Sequence, residues 1–129
     1  MSFRLFAADL DPDAVTALLG VTPTKARRRG EPMGQSGFPS RTGAWLLHAV
    51  RREPGDLDAQ LRELCAQLPS DPEIWQQLGD EVERSLFCGL FMEETNCGLS
   101  IEPSTLERIA RLGARLDLDV YAPTEDEDG

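Results

Sequence analysis

The run PSTLERIARLGARLDLDVY, residues 103–121, changes its hydrophobic period halfway along. Pro103 opens it where a missing N–H costs a helix nothing, and Leu106, Ile109 and Ala110 follow at helical spacing. Gly113 stops the helix, because glycine takes the left-handed turn at a C-terminus without strain. Beyond it Leu116, Leu118 and Val120 alternate with Asp117, Asp119 and Tyr121, the period of a strand with one apolar face. One short stretch thus holds a helix and a half-polar strand. That places the chain among mixed α and β folds.

Working outward, the same two periods recur. Asp56 caps a helix whose Leu57, Leu61, Leu64, Cys65 and Leu68 form an apolar stripe, and Ser70-x-x-Glu73 with Pro72 opens a shorter helix through Ile74, Trp75 and Leu78. Ser85 to Met92 is too short for a core helix and reads as a buried strand. Near the start, Phe3 to Ala7 alternates as a strand, and Asp11-Pro12-Asp13 begins a helix bearing Val15, Leu18 and Leu19 and ending at Gly20. Gly43 to Val50 reads as another strand, and the basic run Thr24 to Arg29 as a short edge strand guarded by its charges. The glycines and prolines between Gly30 and Gly43 read as a loop.

The order predicts an α+β domain: a mixed or antiparallel sheet of four to five strands with helices packed on one face. Its first part follows a β-α-β-β-α-β, ferredoxin-like order, with one helix and strand added. Residues 1–123 read as a single domain. Residues 124–129, with four acids and no apolar side chain, read as a disordered tail.

Charge narrows the function classes. The chain of 129 residues carries 23 acidic and 13 basic side chains, net −10. Such a balance opposes binding to nucleic acid through phosphates, and no apolar stretch is long enough for a membrane span. Cys65, Cys88 and Cys97 are unevenly spaced and follow no export signal, so they read as reduced thiols of a cytoplasmic protein. Neither they nor His48, the only histidine, fall at metal-ligand spacings.

Two groups of residues are candidates for function. Arg27, Arg28, Arg29 and Arg41 lie in a segment, 21–43, where five bases meet one acid and leave about −14 for the rest. They could hold an anionic ligand, or pair with the protein's own carboxylates. Asp117, Asp119 and Tyr121 share one strand face, where the two carboxylates could bind a divalent cation for a hydrolase or nuclease-like reaction, or stand in solvent. Gly34-Gln35-Ser36-Gly37 only glances at a nucleophile elbow, since Phe38 stands where the second glycine belongs.

The opening strand, Leu18-Leu19-Gly20, Thr22-Pro23, Gly30-Glu31, Trp45, Leu99-Ser100 and the ending Leu112-Gly113-Ala114-Arg115-Leu116-Asp117-Leu118-Asp119-Val120-Tyr121 together carry a family likeness. From Phe3 to Tyr121 the chain resembles the bacterial domain-of-unknown-function family 4279. That resemblance implies a small stand-alone protein and brings no activity, cofactor or catalytic residues.

With one histidine, no phosphate loop and no dinucleotide signature, an enzyme is the less favoured reading and no cofactor is expected. The favoured one is a binding or regulatory module, acting on a protein partner with a basic surface as small acidic immunity proteins do. Asp117, Asp119, Tyr121 and the four arginines would be its contacts.

Overall fold

A computed structural model describes residues 1–33, 37–49, 56–92 and 98–123. Seven strands and four helices follow in the order β1 (Ser2–Ala7), α1 (Pro12–Leu19), β2 (Lys25–Arg27), β3 (Pro32–Met33), β4 (Phe38–Pro39), β5 (Gly43–His48), α2 (Leu57–Ala66), α3 (Pro72–Leu78), β6 (Glu83–Phe91), α4 (Pro103–Leu112) and β7 (Arg115–Tyr121). Five strands form one mixed sheet, β2-β5-β1-β6-β7. In the first four each strand runs antiparallel to its neighbours, in the ferredoxin-like order. β7 is added parallel to β6 through the crossover helix α4.

Strand register explains why the helices gather on one side. Phe3 lies opposite Leu47 and Leu86, and Leu5 opposite Trp45, so these side chains share a face. Against them pack Val15 and Leu19 of α1, Leu61, Leu64 and Cys65 of α2, Trp75 of α3, and Ile109 and Leu112 of α4. Phe3 meets the edges of both indoles, at 6.4 Å from Trp45 and 5.8 Å from Trp75. Each buried indole N–H has an acceptor: Thr16 Oγ1 for Trp45 at 3.1 Å, and the Pro69 carbonyl for Trp75 at 2.8 Å.

Local signals account for most boundaries. Asp11 accepts from the Asp13 N–H, Asp56 from the Ala59 N–H, and Gly20 and Gly113 close α1 and α4 with φ near 70°. The cap of α3 is Asp71, not Ser70: its Oδ1 accepts from the Glu73 N–H at 3.0 Å. The basic edge strand is shorter than Thr24–Arg29 and stops at Arg27. Within the segment read as a loop, Pro32 pairs with Pro39 and Met33 with Phe38.

Gly43 is required by a close approach. A Cβ there would meet the Leu10 carbonyl oxygen at 2.6 Å and Leu10 Cβ at 3.0 Å. Backbone cannot give way as a flexible side chain can, so Gly43→Ala is expected to cost about 1–3 kcal/mol in urea unfolding.

Two further expectations need correction. Leu116, Leu118 and Val120 do not form a buried row: Leu116 is half-buried, whereas Leu118 is 43% and Val120 53% exposed. Phe91, at the end of the strand read as buried, is 75% exposed. Leu118 and Val120 are open because β7 is the sheet edge, and Phe91 because alternation turns it, with Tyr121, to the face away from the helices. No helix among the described residues is long and apolar enough to cross a membrane.

Candidate functional site

β7 carries the acidic candidates, and alternation puts Arg115, Asp117, Asp119 and Tyr121 on the face away from the helices. Cross-strand register sets Ser85 beside Arg115, Phe87 beside Asp117, Gly89 beside Asp119 and Phe91 beside Tyr121. Asp117 Oδ2 accepts from the Ser85 hydroxyl and from Arg115 Nε at 3.0 Å. Arg115 also reaches Glu83 at 3.4 Å. At the far end the Tyr121 hydroxyl donates to Asp119 Oδ2 at 2.7 Å, while its ring lies flat on Phe91, centroids 4.8 Å apart and 11° from parallel.

Two of these groups are shifted by their partners. The Ser85 hydroxyl, then Arg115, keep the Asp117 carboxyl below the ordinary carboxylate range, and Asp119 raises the Tyr121 phenol so that it remains a donor. Both aspartates already serve as acceptors, Asp117 for Ser85 and Arg115 and Asp119 for Tyr121. Among the described residues no group of three or more His, Cys, Asp or Glu side chains is placed to hold a metal ion.

The arginines do not converge. Arg28 turns back to the first turn of α1, at 3.0 Å from Asp11 and 2.7 Å from Asp13, and Arg29 lies 3.3 Å from Asp9. Arg27 is half-buried in β2, and Arg41 is exposed beyond the hairpin. Arg28 and Arg29 lie beyond the edge strand, because β2 ends at Arg27.

Sequence reading missed two other arginines. Arg84 lies on the helix side of β6 and donates to the carbonyls of Leu112 (2.9 Å), Trp75 (3.0 Å) and Gly79 (2.9 Å), tying the ends of α4 and α3 to the sheet. Arg108 of α4 donates to the carbonyls of Cys65 and Leu68, both at 2.9 Å, at the end of α2. For Arg84 the available signal is an arginine in the inward register of an apolar strand, since a guanidinium drawn towards the core must find several acceptors.

Cys65 and Cys88 are buried, and burial pushes the Cys88 thiol up to about 11, far from nucleophilic thiolate. His48 is an exposed strand end whose imidazole is lowered by burial first and then by Lys25. Cys97 and the Gly34–Ser36 part of the serine motif lie outside the described residues, as do residues 124–129.

Asp58 at the start of α2 is an acid-sensitive fastening. It accepts from the Glu102 N–H and from Arg62 Nε, both at 2.9 Å, and the Glu102 bond above all lowers its pKa. A pKa lower in the folded than in the unfolded chain gives stability that is whole above the carboxylate range and lost as pH falls through it. The melting temperature is therefore expected to drop steeply below about pH 4, and less steeply in Asp58→Asn; parallel melting curves would contradict this role.

These features define the class: an α+β fold of ferredoxin-like order extended by one parallel strand, whose outer strand displays carboxylates and an aromatic stack. The chain belongs to the family described as Domain of unknown function (DUF4279), whose model matches residues 1–123. Neither the curated proteins nor the solved structures gave a match.

Proposed function

We propose that the protein is a non-catalytic binding module that engages the basic surface of a macromolecular partner, as small acidic immunity proteins do. One observation supports this most. Phe91 of β6 and Tyr121 of β7, 75% and 45% exposed, stack on the face that carries Asp117 and Asp119, while Leu118 and Val120, 43% and 53% exposed, lie on the other face of β7. Exposed aromatic and aliphatic side chains beside fixed charge are the mixture that interfaces concentrate. The net charge of −10 adds a field that draws a basic surface in and opposes nucleic acid.

The two rival readings have less support. An anionic ligand at Arg27, Arg28, Arg29 and Arg41 would have to displace Asp9, Asp11 and Asp13 from two of the four. A hydrolase using a divalent cation at Asp117 and Asp119 would have to break the bonds each already makes. In this reading the protein is a single cytoplasmic domain with reduced thiols and no cofactor.

The test begins with whatever protein co-purifies from the native cell, once that protein is identified and purified. Phe91→Ala with Tyr121→Ala should weaken the pair about tenfold or more, as central aromatic contacts do, and leave the melting temperature in place. Unchanged affinity would remove the site. A rise in melting temperature with Mg²⁺, Mn²⁺ or Ca²⁺ that disappears in Asp117→Asn/Asp119→Asn would favour the cation enzyme instead.

A further inference from the structure

The two edges of the sheet differ. β2 is three residues long and carries Lys25 and Arg27, the short charged form that discourages pairing. β7 is seven residues long, with apolar side chains exposed on both faces. Its inner side is taken: the Met92 N–H donates to the Tyr121 carbonyl at 3.0 Å. A strand residue points its N–H and C=O to the same side, and the next residue to the other. Arg115, Asp117, Asp119 and Tyr121 therefore bond towards β6. The peptide groups of Leu116, Leu118 and Val120 face outward, and no described strand pairs with them.

We propose that this outer edge of β7 accepts an added strand from the partner, an extended segment alternating lysine or arginine with apolar residues. The proposal rests on the binding-module reading above and specifies how that surface is used. Backbone pairing supplies affinity in strand addition, and alternate side chains supply selectivity. On the face away from the helices, Asp117 and Asp119 select cations at alternate positions of the incoming strand. On the helix side, Leu118 and Val120 select apolar residues. Leu106 of α4 lies about 160° around that helix from Arg108, the residue turned to α2, and so flanks the side away from α2. A second copy of the chain fits poorly, because it would bring a second set of the same carboxylates to an edge on a protein of net charge −10.

The probe is a synthetic peptide alternating lysine and valine, with a glutamate-valine peptide as control. In NMR hydrogen exchange the lysine peptide should slow the amides of Leu116, Leu118 and Val120 about tenfold or more, leaving those of Asp117, Asp119 and Tyr121 as they were. Leu118→Pro removes one outward N–H and spares the bonds to β6, so it should cost about tenfold in peptide affinity. Val120→Pro, nearer the strand end, should do the same. Binding with those three amides unchanged, or wild-type affinity in both proline variants, would overturn strand addition while leaving side-chain docking at the acidic face intact. Binding of the glutamate peptide, no binding of the lysine peptide, or slowed amides in the protein alone at high concentration would overturn it too. The wider reading fails separately, if the co-purified partner ignores Phe91→Ala/Tyr121→Ala.

Discussion

Replacing Arg84 with methionine is expected to lower the free energy of unfolding by about 3 kcal/mol, moving the melting temperature down by roughly 10 °C. The methionine keeps much of the apolar stem but leaves the Leu112, Trp75 and Gly79 carbonyls without the donors they now share. Those carbonyls lie at or near the ends of α4 and α3, where backbone acceptors have no partner within the helix. Arg84→Lys should rescue little, because one ammonium cannot copy a planar fork reaching three acceptors. Gly113 belongs to the same joint: a Cβ there would lie 2.8 Å from Arg84 Nη1. Arg28→Met is the contrast, since its pairs with Asp11 and Asp13 are exposed and surface pairs contribute little. Equal melting temperatures for Arg84→Met and the wild type would contradict this account of the helix ends.

The second large effect concerns association. Asp119→Lys is expected to slow encounter with the basic partner by about tenfold at low salt, and Asp117→Lys/Asp119→Lys by roughly a hundredfold. Asp119 is the cleaner position, because among the described residues its carboxylate accepts from the Tyr121 hydroxyl, whereas Asp117 fastens both Ser85 and Arg115. Stopped-flow association rates read the effect directly, and melting temperatures measured alongside separate it from unfolding.

Much of the fold was legible because two periods and their punctuation are written locally. The step from Leu106–Ile109–Ala110 through Gly113 to Leu116–Leu118–Val120 located α4 and β7, and the element order suggested the ferredoxin-like arrangement that the sheet then showed. What the pattern could not carry was exposure at the sheet end. Alternation tells which residues share a face, but not whether anything covers that face. Leu118 and Val120 alternate as a buried row would, yet β7 is an edge. The α3 cap was missed by one residue because Ser70 and Asp71 both suit the position.

The candidate site shows the same division. Asp117, Asp119 and Tyr121 were legible as one row because strand spacing alone puts them there. The arginine cluster misled because adjacency in sequence says nothing of partners: Asp13 precedes Arg28 by fifteen residues and meets it only when β2 returns beside α1. Phe91 joined the site through the parallel register of β6 and β7, which no local pattern reports.

The central claim is that the acidic face of β7, and not the arginine segment, meets a basic partner. Its most direct test is the association rate of the purified pair across a salt series, for wild type, Asp119→Lys and Arg27→Ala/Arg29→Ala. The wild-type rate should fall steeply as salt rises. Asp119→Lys should start lower and fall less, and the arginine variant should follow the wild type. A salt-independent rate, or a loss confined to Arg27→Ala/Arg29→Ala, would contradict it.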